Sequence, residues 1–227
     1  MTQVLEILRG RLVASCQPLD FGPMDRPDIV AAMALACIAG GAAGLRIEGI
    51  DNLRAVRAVT DSPIIGITKT DLQGSPVRIT VTPQDVQDLR AAGADIIAYD
   101  ATDRDRPFGR DDILAEILAS GALAMADCST EVDARHALAQ GAHITGTTLS
   151  GYTDETMSDD VRPDLALVRR FRDLGGFVMA EGRYNTPALA AEAIAAGADC
   201  VTVGSALTRL EHVTGWFCAA VEGAVRS

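Results

Sequence analysis

Short apolar runs alternate with longer amphipathic stretches along the whole chain, and that alternation marks repeated βα units closing a parallel sheet. Eight runs stand out: RLVASC (11–16), GLRI (44–47), PIIGIT (63–68), DIIAYD (95–100), ALAMAD (122–127), HITGTT (143–148), GFVMAE (176–181) and CVTVGS (200–205). Three junctions repeat almost as a phrase, AAGADIIAY (91–99), AQGAHITGT (139–147) and AAGADCVTV (195–203), with a looser copy, GGAAGLRI, at 40–47. In each, the glycine suits the left-handed conformation that ends a helix, and the following run enters the sheet.

Eight parallel strands are the number at which a sheet closes with a filled interior. The expected fold is therefore α/β, a single (β/α)8 TIM barrel with a short N-terminal helix, spanning residues 1–227 as one domain. The composition agrees: 48% hydrophobic residues with 4% aromatic require a core of Ala, Val, Ile and Leu. The formal charge of −11 argues against nucleic acid or an anionic membrane as partner, since both need a basic field. Any phosphate site must then rest on local donors and a few arginines. Five cysteines, an odd number without a C-x-x-C pair, read as reduced thiols. No stretch approaches the ~20 uninterrupted apolar residues of a membrane span, and the N-terminus, MTQVLEILRGRL, mixes charge into its apolar stretch, so a cytoplasmic location is expected.

Chemistry in such barrels collects at the C-terminal ends of the strands. Read there, the residues are polar: Gln17, Arg46, Lys69, Asp100, Asp127, Thr147 with Thr148, Glu181, and Gly204 with Ser205. Arg11, Asp95 and His143, at the opposite ends, are assigned to stability. Lys69 is the only lysine, against nineteen arginines, and directly follows a strand. An ammonium can lose its proton when desolvated, whereas a guanidinium cannot; the alternative is that one lysine survived arginine-biased codon usage. Glu181 ends the seventh run, four strands from Lys69, so the two face each other across the mouth, where opposed acid/base groups can work on both faces of one planar intermediate. Alternatively, Glu181 pairs with Arg183. Arg46 and Asp127 suit either a salt bridge or work on a carbonyl and sugar hydroxyls.

The seventh and eighth runs lead into EGRYNTP and VGSALTR, where a glycine precedes a helix start, a place where backbone N–H groups and a helix dipole bind phosphate. Arg183 and Arg209 would add positive charge there. A metal is not expected, because His136, His143 and His212 lie in helices or at a strand's entry. Cys16 and Cys128 stand where a nucleophile could, but no histidine at a strand end would activate them.

The strings SCQ (15–17), GITKTD (66–71), DATDRDRP (100–107), MADCST (125–130), GTTLSGYT (146–153), AEG (180–182) and VGSALTR (203–209) follow one another as in N-acetylmannosamine-6-phosphate 2-epimerases, which the chain resembles over nearly its whole length. The resemblance implies interconversion of N-acetylmannosamine 6-phosphate and N-acetylglucosamine 6-phosphate in sialic acid breakdown, with no cofactor. It implies Lys69 and Glu181 as the catalytic pair and Gln17, Arg46 and Asp127 around the sugar, to which Thr147 and Tyr152 are added as substrate-binding candidates. Gly182, Gly204 and Arg209 match the phosphate site, joined as candidates by Arg183 and Ser205. Thr70, Ser205 and the Arg183-Tyr184-Asn185 stretch depart from the family's common pattern. A Schiff-base aldolase and a non-catalytic phosphosugar-binding barrel are the rival readings. The segment LTRLEHVTGWFCAAVEGAV spreads Trp216, Phe217 and small apolar residues over more than one helix face, which predicts a homodimer.

Overall fold

The computed structural model describes residues 2–225. Eight parallel strands form a closed barrel in the order β1 to β8: β1 (Arg11–Cys16), β2 (Gly44–Glu48), β3 (Ile64–Ile67), β4 (Ile96–Asp100), β5 (Leu123–Asp127), β6 (Ile144–Gly146), β7 (Phe177–Glu181) and β8 (Cys200–Val203). Each expected run holds one strand. Two end early. HITGTT stops at Gly146 because the chain then enters a turn, and CVTVGS stops at Val203 because Ser205 already begins a short helix.

The repeated junction phrase has a physical reason beyond its glycine. Gly41, Gly93, Gly141 and Gly197 all take φ between 101° and 108°, the left-handed turn that releases each helix into the next strand. The residue two places after the last three then ties the barrel's lower rim. Asp95 accepts from the Ile64 N–H at 2.9 Å, His143 Nδ1 from Ala124 N–H at 3.0 Å, and Asp199 from Val178 N–H at 2.9 Å. Each side chain thus satisfies a donor on the preceding strand, which is the stabilising role expected for Asp95 and His143.

Strand alternation divides the interior. Inward residues in the lower half are apolar: Val13, Ile65, Ile96, Leu123, Met125, Ile144, Phe177, Met179 and Cys200 pack in one cluster, closed from below by Leu8 of the N-terminal helix α1 (Thr2–Leu8). Outward residues pack against the helical layer in a second cluster that includes Leu45, Val86, Ile97, Ile117, Phe171 and Val201. Gly66 shows how close that layer stands. A Cβ there would lie 2.7 Å from Leu53 Cδ1 and 2.9 Å from Ala94 Cβ, so Gly66→Ala is expected to destabilise the protein by about 1–3 kcal/mol through overpacking. A urea midpoint equal to wild type would contradict this.

After β8 come the four-residue helix α2 (Ser205–Thr208) and a terminal helix, α3 (Leu210–Val225). No residue of that terminal helix is buried, although it carries Trp216, Phe217 and Val221. No helix among the described residues is long and apolar enough to cross a membrane.

Candidate active site

Above the apolar half of the barrel, the inward positions turn polar: Ser15 and Arg46, then Lys69 just past β3, Asp127, Thr148, Glu181 and Thr202. At their centre Arg46 is 1% exposed. It reaches across the barrel to Asp127 with both terminal nitrogens, at 3.1 and 2.6 Å, and its Nη1 also donates to Glu181 Oε2 at 2.9 Å. Burial works against the Arg46 charge, but Asp127 and then Glu181 outweigh it and hold the guanidinium protonated. The same burial pushes the Glu181 carboxyl up to about 7, with Asp127 acting in the same direction and Arg46 and Lys69 against it. A carboxyl near 7 is suited to give or take a proton at neutral pH.

Lys69 lies on the opposite side of the same cavity, a space of about 270 Å³ at the C-terminal mouth of the barrel. Its Nζ donates to Gln17 Oε1 at 2.7 Å, and Gln17 Nε2 donates to Ser15 Oγ at 2.7 Å. Burial lowers the Lys69 pKa, helped by Arg209 and Arg46, while Glu48 and Asp20 pull it back. The opposed pair therefore combines a raised acid and a lowered base, which narrows the gap a proton must cross between them.

The cationic end of the cavity is formed by Gly182, Arg183, Gly204, Ser205 and Arg209. Arg209 Nε donates to Gln17 O at 2.9 Å. Arg183, itself left-handed at φ 64°, lays its guanidinium over the Tyr152 ring at 4.7 Å and donates to Gly151 O at 2.9 Å. It thereby fastens the loop after β6 to the loop after β7. The helix-dipole contribution expected here is smaller than the sequence suggested. The helix after β8 has only four residues, and the start of the helix after β7 (Pro187–Ala196) is already capped, because Thr186 accepts from the Leu189 N–H. The positive charge at this end comes instead from the two arginines, beside the glycine-rich backbone.

Most expected site residues come together: Gln17, Arg46, Lys69, Tyr152, Glu181, Gly182, Arg183, Gly204, Ser205 and Arg209 all line this one cavity. Two do not. Asp127 is fully buried beneath the wall, both oxygens taken by Arg46 and one also by the Thr148 hydroxyl at 2.6 Å. Thr147 faces outward, where its hydroxyl donates to Glu181 O at 2.9 Å and accepts from Glu181 N–H at 3.1 Å. Both position other groups and do not face the cavity. Glu181 pairs with Arg46, and Arg183 is held by Tyr152 and Gly151. Asp100 also lies off the wall and clamps Arg104 and Arg106. Cys16 and Cys128 are fully buried in the outer core.

Sequence reading missed Ser15 and Thr202 on the cavity wall and Glu48 beside Lys69. Ser15 and Thr202 share the strand phase of Gln17 and Gly204, which is the signal that would have found them. Among the described residues, no group of three or more His, Cys, Asp or Glu side chains could hold a metal ion.

Comparison with known proteins bears on this geometry. A family profile described as "Putative N-acetylmannosamine-6-phosphate epimerase" matches residues 30–223. This chain belongs to that family. Relatives described in the same terms, as 2-epimerases, include one from Actinobacillus pleuropneumoniae serotype 5b, 56% identical over 223 residues covering 98% of this chain and 96% of that protein. Another, from Glaesserella parasuis serovar 5, is 57% identical over 220 residues, covering 97% and 94%. Among solved structures, the N-acetylmannosamine-6-phosphate 2-epimerase from Clostridium perfringens superposes with a TM-score of 0.92 at 36% identity over 95% of each chain. As a member of the epimerase family, the chain shares the barrel fold of that solved epimerase over nearly its whole length.

Proposed function

We propose that this protein interconverts N-acetylmannosamine 6-phosphate and N-acetylglucosamine 6-phosphate by inverting carbon 2, an isomerase reaction of amino-sugar and sialic acid breakdown. The observation that carries the chemical reading is the placement of Lys69 and Glu181 on opposite walls of one cavity, with a cationic end beside them. In the open-chain sugar, the carbon 2 hydrogen is acidified by the adjacent aldehyde. One member of the pair takes that proton, the C–H electrons move into an enolate, and the other member returns a proton to the opposite face. Arg46, locked to Asp127, orients Glu181, and Gln17 orients Lys69. Gly182, Gly204, Ser205, Arg183 and Arg209 would hold the phosphate, leaving the carbonyl end near the pair. Separation of the two epimers by anion-exchange chromatography after incubation with either one tests the activity. Both should appear from either starting compound, and a starting compound that stays unchanged would contradict it.

We read residues 1–227 as one folding unit, of which Met1, Arg226 and Ser227 lie outside the described residues. A cytoplasmic protein without nucleic-acid partners fits the acidic charge. The bare terminal helix supports a homodimer, since Phe217 at 70% and Val221 at 65% exposure leave an apolar face open to water. A shallow groove lined by Leu12, Ala14, Ala36, Cys37 and Leu207 offers apolar surface for a second copy's helix. Light scattering should give twice the chain mass for wild type and the chain mass for Trp216→Asp/Phe217→Asp; a monomeric wild type would reject the dimer.

A further inference from the structure

Two buried hydroxyls on the cavity wall have no hydrogen-bond partner among the described residues, Thr202 Oγ1 and Tyr184 Oη. Tyr184 has the Thr147 side chain beside its hydroxyl, which leaves Thr202 as the residue of the cavity wall whose buried hydroxyl has no hydrogen-bonding group beside it among the described residues. Two other small hydroxyls of the wall are engaged: Ser15 Oγ accepts from Gln17, and Thr148 Oγ1 donates to Asp127. Thr202 is 2% exposed. A buried hydroxyl left unpaired weakens a fold, so its persistence at a binding cavity calls for a partner that arrives with the ligand.

The position on β8 says which part of the ligand that is. Thr202 stands opposite Glu181 in the β7–β8 register, next to the proton-handling end. Gly204, two residues on and in the same phase, belongs to the cationic end. Thr202 therefore sits between the Glu181 side and the cationic end of the cavity. We propose that Thr202 is a specificity-determining residue whose hydroxyl hydrogen-bonds one chain hydroxyl of the sugar between carbon 2 and the phosphate. The proposal rests on the epimerase reading above, and it adds a group that selects a hydroxylated chain over a deoxy one. A buried polar group paired only by the right substrate rejects the analogue that lacks its partner.

Thr202→Val keeps the shape and removes the hydroxyl, and Thr202→Ser keeps the hydroxyl. Both are compared with wild type on N-acetylmannosamine 6-phosphate and on its 3-, 4- and 5-deoxy analogues, by turnover and by calorimetric binding. Thr202→Val should lose about tenfold in kcat/KM and in affinity for the parent compound, while its Tm rises by about 2 °C because a methyl replaces an unpaired hydroxyl. On one deoxy analogue, wild type and Thr202→Val should be equal, and Thr202→Ser should retain most of the parent activity. Equal kcat/KM and affinity of wild type and Thr202→Val on the parent would overturn the proposal. So would an equal loss on all three analogues, which marks packing alone. Failure of wild type to turn over the parent would count against the epimerase reading, and the binding ratios would still judge Thr202.

Discussion

Lys69→Met and Glu181→Gln are each expected to lower kcat by about 10²–10⁴-fold, the usual worth of a positioned acid or base, with the barrel intact by circular dichroism. Methionine keeps the length of the lysine stem and removes the proton; glutamine keeps the Arg46 contact and removes the ionisation. The pH profile separates these losses from misplacement. The pair works only when it holds one proton between its two members. Below the Glu181 transition near 7 both are protonated and no base remains; above the lowered Lys69 transition both are empty and no acid remains. Wild-type kcat/KM should therefore rise through about 7 and fall at a pH below the ordinary lysine range. Glu181→Gln should lose the acid limb, and a full-rate Glu181→Gln with an unchanged profile would remove Glu181 from the chemistry.

Arg46→Met should be the most damaging single change to the fold. It leaves the Asp127 and Glu181 carboxylates facing each other in a site where Asp127 is fully buried. Breaking a buried ion pair by removing one partner costs about 3–5 kcal/mol, more than the pair itself contributes over an apolar substitute. Urea denaturation of Arg46→Met should show that loss, and adding Asp127→Leu should restore much of it, because the uncompensated charge goes with the carboxylate. A cost under about 1 kcal/mol for the single variant would mean that the carboxylates take up protons or water at little expense. It would also mean that Arg46 is not what sets the electrostatics around Glu181.

The sequence made the barrel legible because its unit is repeated. In each copy a glycine follows the helix, the strand begins three residues later, and Asp95, His143 and Asp199 reuse one rim contact, so three copies of a phrase expose one structural device. The positions of Lys69 and Glu181 were legible because Lys69 follows one strand and Glu181 ends another, and strand number alone sets them apart around a closed ring. What escaped was of two kinds. Thr147 stands at the end of its apolar run, yet the inward phase of β6 runs through Ile144 and Gly146 to Thr148, which puts Thr147 outside. Thr202 is the converse case, lying inside a strand in the phase that faces the cavity. Asp127 and the partner of Glu181 depended on distance across the barrel. Arg46 of β2 meets β5 and β7 at the centre, and no spacing along the chain encodes that meeting.

The most direct test of the account is proton NMR of N-acetylmannosamine 6-phosphate with the purified protein in deuterated water. Loss of the carbon 2 proton signal in step with growth of the deuterated gluco epimer is the predicted result, absent in Lys69→Met and Glu181→Gln. An unchanged carbon 2 signal with folded wild-type protein, or epimer formed with its original hydrogen retained in both directions, would contradict proton exchange through this pair.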